Sequence, residues 1–196
     1  MTGMPDDKAL VARARAGDEE GFRLLIRRYK SDVFRLAYRI LKNREDAEDA
    51  SQDVFIRLHR SLGQYDPKHA FRSWLLRITH NLCIDHLRRR RMTTVSLDEP
   101  IRRGDGEVDW ELPDPGAEDP LEAAARGEER VMLEEAIARL GPALRSAITL
   151  RHVHGLRYEE IAETLDVPLG TVKVRIFRAR AALAEMLGGR LGRERK

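Results

Sequence analysis

The sequence predicts an all-α protein in which a flexible acidic linker joins two small helical domains. Three observations predict this class. Apolar residues recur at helical spacing on both sides of an acidic segment, no stretch alternates as a half-buried strand does, and 196 residues give room for one domain or two small ones. We expect the first domain over residues 1–92, the linker over 93–127 and the second domain over 128–196.

The first predicted helix spans residues 22–42. Apolar side chains recur along it at offsets of three, four and seven residues, which places them on one helix face. Lys42 and Asn43 are predicted to end this helix. The acidic run around Asp46 then starts a second helix, because carboxylates stabilise the positive amino end of a helix dipole.

Gly63 and Pro67 end this second helix. A third helix begins near Phe71 and runs into the basic cluster Arg88–Arg91. Each of the three helices is apolar on one side, so together they suffice for a helical bundle.

Helical periodicity is lost over residues 93–127. This segment carries ten acidic and three basic residues and four prolines. Its apolar content is too small to offset the entropy of ordering the chain, so we predict a mostly disordered linker, with Trp110 as its one large apolar anchor.

Helices return after the linker. One is expected over residues 131–140, and a second begins at Pro142, since proline suits a first helical turn. Two more are expected over residues 158–165 and from Thr171, which is predicted to cap the last helix.

The last two helices and the short break between them have the pattern of a helix-turn-helix, whose second helix normally enters the major groove of DNA. Four residues form the expected buried stripe of that helix: Val172, Ile176, Ala179 and Leu183. Four others lie opposite: Lys173, Val174, Phe177 and Arg178. Basic side chains reach guanine or phosphate, and apolar ones meet a thymine methyl group. The alternative is a helical hairpin with a solvated basic face.

Charge is segregated along the chain although the formal net charge is only +3. Residues 67–92 and 171–196 each carry +6, whereas residues 44–66 carry −3 and residues 93–135 carry −10. Blocks of one sign are typical of interaction surfaces.

The basic third helix carries a polar stripe off its apolar face, composed of Arg77, Asn81, Ile84, Asp85 and Arg88. The loop before it holds Tyr65, whose ring we expect to be exposed. A basic groove with aromatic surfaces is what unpaired bases need. The alternative is that Tyr65 and Phe71 are plain core residues.

The second helix carries an acidic face with Asp46, Asp49 and Asp53 aligned along it. Paired carboxylates suit a divalent metal or acid–base chemistry, but no accompanying motif supports either. A solvated face or a docking site for a basic partner is the favoured interpretation. Cys83 and His86 supply only half of a zinc site.

Known catalytic and nucleotide-binding fingerprints are absent from the sequence, so we predict a non-catalytic protein with no cofactor, no metal and no small-molecule substrate. The single cysteine fits a reducing cytosol. No apolar run is long enough for a membrane span and no secretory signal is visible, so the predicted location is cytoplasmic, at the bacterial nucleoid.

Three stretches together resemble a bacterial sigma factor of the extracytoplasmic-function type, group IV of the sigma-70 family, which has only the second and fourth sigma domains. They are Asp46–Phe55, Phe71–Leu82 and Tyr158–Arg180. The resemblance implies a subunit that binds core RNA polymerase, recognises duplex DNA at the minus-35 element, and melts the minus-10 element to capture its non-template strand.

The resemblance also assigns residues. The core-polymerase set is Asp46, Asp49, Gln52, Asp53 and Phe55. The minus-10 set is Tyr65, Lys68, Arg77, Asn81 and Arg88. The minus-35 set is Thr171, Lys173, Val174, Arg175, Phe177 and Arg178. A linker of charge −7 would mimic nucleic acid in the polymerase channels, and an anti-sigma factor is an expected partner.

The sequence departs from the family pattern at two positions. Arg157 stands where serine or threonine often caps the first helix of the helix-turn-helix, and Val174 replaces a small polar residue on the second. Two other functions stay open at this point: a free-standing DNA-binding regulator that uses only the helix-turn-helix, and a metal-dependent enzyme built on the Asp46 helix.

Overall fold

The computed structural model describes residues 6–94 and 131–191, with side chains described through residue 90 and over 131–188. All regular structure in these ranges is helical, which confirms the predicted class. The helices are α1 (Asp7–Arg15), α2 (Glu19–Leu41), α3 (Arg44–Ser61), a 3-10 turn (Leu62–Gln64), α4 (Phe71–Thr94), α5 (131–139), α6 (Pro142–His152), α7 (Tyr158–Leu165) and α8 (Leu169–Leu191). Most of the predicted linker, with Trp110, lies outside the described residues.

Side-chain caps set where the first helices begin. The Asp18 carboxylate accepts hydrogen bonds from the amides of Glu20 and Gly21, so α2 starts three residues earlier than its apolar pattern predicts. The Asn43 side chain accepts from the amide of Asp46 at 2.9 Å and starts α3. Lys42 ends α2 in the left-handed conformation, at the predicted stop.

The sequence analysis missed α1, which packs against α2. The two helices approach closely at Gly21, where an added Cβ would lie only 2.8 Å from Cβ of Arg13. Tyr29 and Arg28, both on α2, donate side-chain hydrogen bonds to the Asp7 carboxylate and fix the start of α1.

A first apolar cluster joins α1–α4. It contains the fully buried side chains of Leu10, Leu25, Val33 and Leu58. The last three lie on the apolar faces that periodicity predicts for α2 and α3. Burying a leucine contributes about 1.5–3 kcal/mol, so this cluster accounts for much of the stability of the bundle.

A second apolar cluster is shared by the two segments of the chain. Leu36, Ile40 and Leu76 from residues 6–94 belong to the same cluster as Ile148 and Ile161 from residues 131–191. Helix α6 packs on α2, and α7 packs on α4. The segments that the sequence treats as separate domains therefore share a core in this structure.

Candidate nucleic-acid and polymerase interfaces

The turn between α7 and α8 has the geometry of a helix-turn-helix. Asp166 ends α7 in the left-handed conformation, with φ at 51°, and its amide donates to the carbonyl of Ala162. The amides of Thr171 and Val172 donate to the carbonyl of Pro168 and start α8. The two helices then pack against each other.

The start of α7 is capped in an unusual way. Arg157, which stands at the cap position, cannot accept a hydrogen bond through its guanidinium. Instead, the Glu160 carboxylate reaches back and accepts from the Arg157 main-chain amide at 2.7 Å. This is the glutamate half of a capping box, and it makes good the absence of a serine or threonine.

Helix α8 separates its buried and exposed sides as the sequence predicts. Val172, Ile176, Ala179 and Leu183 are at most 8% exposed. Lys173, Val174, Phe177 and Arg178 are all exposed, and Phe177 reaches 74%. An exposed side chain of this size beside two cations is the kind of surface that base edges and phosphates fit.

Two minus-35 residues differ from expectation in their placement. Thr171 is half-buried in the first turn of α8, which begins at Leu169, so the prediction that it caps the helix is wrong. Arg175 is half-buried and lies near His80 of α4, whose pKa is lowered mainly by burial and further by this arginine.

The polar stripe of α4 is exposed except at Ile84, which is half-buried and packs against the second apolar cluster. Arg77, Asn81 and Arg88 lie at the surface, and Lys68 is exposed in the loop before the helix. The apolar face behind them is covered, since Leu75, Leu76 and Cys83 are buried. Helix α4 therefore presents cations and one amide group along a single accessible side.

Tyr65 does not lie on this accessible side, and the expectation of an exposed ring is wrong. Its side chain is 4% exposed and packs against the rings of Phe71 and Trp74. Its hydroxyl donates to the carbonyl of His69 at 2.6 Å. The core-residue alternative describes Tyr65 in this conformation.

The acidic face of α3 is only partly free. Asp49, Gln52 and Asp53 are exposed and Phe55 is half-buried. Asp46, in contrast, accepts a hydrogen bond from Arg90 at 3.1 Å and lies 3.5 Å from the His86 ring. Asp46 thus ties the start of α3 to the basic end of α4.

Sequence reasoning missed an apolar groove beside the acidic face. Phe22 and Ile26 of α2 line it together with Phe55 and Ile56 of α3, and His59 and Arg60 of α3 contribute to the lining. Ile56 is 50% exposed, an unusual placement for isoleucine. Ile56 lies two residues from both Val54 and Leu58 of the buried stripe of α3, so an apolar residue off that stripe was the available signal.

Metal chemistry finds no support in the described part of the chain, where no cluster of three ligand-type side chains occurs. Cys83 is fully buried, and burial raises the pKa of its thiol to about 12. The His86 ring lies 3.5 Å from the Asp46 carboxylate. His86 and Cys83 therefore do not form the half zinc site that the sequence offers. Within the same described ranges, no helix is long and apolar enough to cross a bilayer.

Comparison with known proteins identifies both segments. Residues 25–93 match the family model of sigma-70 region 2, and residues 130–183 match that of sigma-70 region 4. The chain is 36% identical over 192 residues to the RNA polymerase sigma-H factor of Pseudomonas aeruginosa, covering 95% of this chain and 96% of the relative. It is 37% identical over 188 residues to the extracytoplasmic-function sigma-E factor of Escherichia coli, covering 93% and 95%.

A solved structure has the same fold. CnrH, determined in complex with the cytosolic domain of CnrY, superposes with a TM-score of 0.66 at 26% identity, covering 93% of this chain and 97% of that one. The chain therefore belongs to the extracytoplasmic-function sigma factors of the sigma-70 family, which bind core RNA polymerase and direct transcription initiation.

Proposed function

We propose that three surfaces divide the work of this sigma factor. The exposed part of α3 with the neighbouring groove binds core polymerase, the polar stripe of α4 holds the melted minus-10 strand, and the exposed face of α8 reads the minus-35 duplex. The proposed boundaries are residues 1–92 for polymerase and minus-10 functions, 93–127 for the linker and 128–196 for minus-35 recognition.

The observation that carries this assignment is the chemical contrast among three exposed helix faces. Helix α3 exposes carboxylates beside an apolar groove, α4 exposes arginines around Asn81, and α8 exposes two cations around Phe177. A rigid helical core supports each face, so binding costs little ordering of the chain.

The polymerase surface combines charge with apolar area. Asp49, Gln52 and Asp53 would attract and orient a basic partner, while burial of Ile56 and Phe55 would supply affinity. Asp46 contributes indirectly, because its carboxylate is already paired with Arg90.

The minus-10 surface suits a single strand. Extruding a base costs a few kcal/mol, and contacts to the extruded base must offset this cost. Asn81 offers both a donor and an acceptor to a base edge. Arg77, Arg88 and Lys68 would hold the backbone, whereas Tyr65 supports the loop from beneath.

Further assignments follow from the family. The chain has no catalytic role of its own in this proposal and acts as a specificity subunit, in the bacterial cytoplasm at the nucleoid. Its partners are core RNA polymerase, duplex and single-stranded promoter DNA, and an anti-sigma factor. The last is supported by the solved relative CnrH, which was captured with the cytosolic domain of another protein.

A transcription selection tests the function. The protein is mixed with core polymerase and random-sequence DNA, and templates that yield runoff transcripts are sequenced. We expect two enriched elements at a fixed spacing. Transcripts no more abundant than with core polymerase alone would contradict the proposal, and tight duplex binding without polymerase would favour a free-standing regulator.

A further inference from the structure

An arginine at the end of α1 holds the loop that leads into α4. Nε of Arg15 donates to the carbonyl of Leu62 at 2.9 Å, and Nη2 donates to the carbonyls of Gly63 and Tyr65 at 2.7 and 2.6 Å. These carbonyls belong to the 3-10 turn and to the residue that ends it. Carbonyls at the end of a helix lack partners within the helix, so Arg15 satisfies groups that the turn alone does not.

The guanidinium of Arg15 suits this role. Arginine presents five N–H donors in a rigid planar fork, whereas a lysine ammonium is a single point charge. Within the described ranges, the side-chain hydrogen bonds of Arg15 all go to this one loop. The side chain is exposed, so its removal opens no cavity in the apolar core. Arg15 therefore acts on the position of the loop more than on the packing of the bundle.

The loop that Arg15 holds comprises residues 62–70. Leu62 and Tyr65 are each 4% exposed and fasten the start of the loop to the core, where Tyr65 packs against the rings of Phe71 and Trp74. The other seven residues of the loop are exposed. The hydrogen bonds from Arg15 thus fix the main chain at the point where the loop leaves the core.

The tip of the loop is a tight turn that leads directly into α4. The Asp66 side chain accepts from the amide of Lys68 at 3.0 Å, and the Asp66 carbonyl accepts from the amide of His69 at 3.1 Å. The His69 ring also lies 3.2 Å from the Glu163 carboxylate, but an exposed pair of this kind contributes little. Asn81 lies about 15 Å along α4 from its start. The position of the loop therefore sets where Lys68 stands relative to the polar stripe of α4.

A receptor for an extruded base works best when it is formed in advance. Ordering a loop during binding costs affinity, and a loop that is already ordered avoids this cost. The hydrogen bonds from Arg15 order the loop in the free protein, before any strand is bound.

We propose that Arg15 is a positioning residue for minus-10 recognition. It fixes residues 62–70 so that the loop and the polar stripe of α4 together form a preformed receptor for one extruded base of the non-template strand. The receptor rests on the proposed minus-10 function, whereas the ordering of the loop by Arg15 does not.

Amide hydrogen exchange of the free full-length protein tests the ordering of the loop. Arg15→Met should speed exchange at the amides of Tyr65, Lys68 and His69 about tenfold, the ratio expected for one lost hydrogen bond from a charged donor. Lys8→Met is the matched control, because it removes an exposed cation two turns earlier on α1. Unchanged exchange in the loop of folded Arg15→Met overturns the inference.

Binding of single strands to the holoenzyme tests the receptor. The probe is the minus-10 non-template oligonucleotide enriched in the transcription selection, together with versions that carry an abasic site at one position each. The wild-type holoenzyme should bind the strand that lacks the extruded base about tenfold more weakly. Arg15→Met should bind the intact strand about tenfold more weakly and the abasic strand as before, so that this preference is lost.

The split between the two strands separates positioning from other roles. An Arg15→Met holoenzyme that keeps the preference overturns the proposal. Equal weakening on both strands also overturns it, because a phosphate contact or general damage does not depend on the base. A wild-type holoenzyme without a preference at any position contradicts the proposed minus-10 function instead, and hydrogen exchange still tests the ordering of the loop.

A charge-preserving variant completes the test. Arg15→Lys keeps the positive charge but lacks the fork that reaches three carbonyls, so it should lose the preference as well. A full preference in Arg15→Lys would show that charge alone suffices and would overturn the positioning role. This variant also takes the place of Arg15→Met if the methionine variant does not fold.

Discussion

Asn81 is exposed on α4, and its amide contributes little to folding. Its side-chain oxygen lies 3.4 Å from Nδ1 of the neighbouring His80 ring. We predict that Asn81→Ala leaves the free energy of unfolding unchanged and lowers open-complex formation about tenfold, since a base contact is worth about 1–3 kcal/mol. Urea unfolding and a fluorescent base in the minus-10 element measure the two effects. Ser31→Ala, exposed on α2 and outside the three proposed surfaces, is the control and should change neither.

Tyr65 should behave in the opposite way. Tyr65→Phe removes the hydroxyl that donates to the carbonyl of His69 and leaves the aromatic packing intact. We predict a loss of about 1 kcal/mol in the free energy of unfolding, with DNA opening retained once the protein is folded. Equilibrium urea unfolding checks the first part. Unchanged stability together with lost opening would return Tyr65 to the DNA-binding set.

The sequence could not separate these two side chains. Both lie in polar surroundings, and local spacing does not show that Arg15, some fifty positions earlier in the chain, donates to the carbonyls of Leu62, Gly63 and Tyr65. Those bonds pull the loop onto α1 and cover the ring. Burial of Tyr65 is thus a long-range property, whereas exposure of Asn81 follows from the period of a single helix.

In the proposed function, helix α8 reaches DNA through its exposed cations. A phosphate contact by Lys173 would release about one counterion, so Lys173→Ala should reduce the slope of log affinity against log salt by about one for minus-35 duplex. Fluorescence anisotropy of the holoenzyme at several salt concentrations measures it. Arg139→Ala, a charge change on exposed α5, should leave the slope unaltered. An equal salt dependence of affinity in the Lys173→Ala and Arg139→Ala variants would show that Lys173 does not contact the minus-35 duplex.

In the proposed function, helix α3 binds polymerase through apolar area as well as charge. Ile56→Glu places a carboxylate in the groove formed with Phe22 and Ile26, and we predict at least about tenfold weaker binding to core polymerase, because burying an unpaired charge costs several kcal/mol. Ile56→Leu preserves apolar volume and should bind normally. Both variants should unfold as the wild type does, since Ile56 is half exposed. Equal affinities of the two variants for core polymerase would show that the groove is not part of the polymerase-binding surface.

Most helices were predictable because their signals are local. The apolar stripes of α2, α3 and α8 repeat within a single helix, and Lys42 marks a stop that the structure reproduces. Helix starts were predicted less well, since α2 begins at a cap made by Asp18 and α8 begins before Thr171. A cap depends on one side-chain hydrogen bond, which periodicity does not detect.

Packing between the segments could not be predicted from the sequence. Arg145 stands among apolar residues of α6 and has no nearby acidic residue in the chain. Its partners are carbonyls about a hundred positions away, and a carbonyl leaves no mark in a sequence. The charge blocks, in contrast, were visible directly, and they predict the separate DNA and polymerase surfaces that we propose. Thus the surfaces follow from composition, while the distance between them follows from tertiary contacts.

The packing of the two segments should weaken in mild acid. His154 is 2% exposed, and neither ring nitrogen has a hydrogen-bond partner among the described residues. Burial lowers the pKa of His154. Asp32, 3.8 Å away, opposes this, while Arg72, Arg35 and Arg39 reinforce it. Burial alone would raise the pKa of Asp32, but hydrogen bonds from Arg72 and Arg35 outweigh it, so this carboxyl stays charged.

The sign of the pH effect follows from His154. Its pKa is near 6.5 when exposed and lower when packed, so protons favour the separated form. The packed form is fully stabilised above about pH 6.5 and loses stability as the pH falls below that value. Energy transfer between dyes on exposed Glu48 and Glu185, each changed to cysteine, should therefore decrease from pH 7.5 to 5.5. His154→Leu fills the site without titrating, and it should abolish the decrease; a decrease that persists would assign the effect to another group.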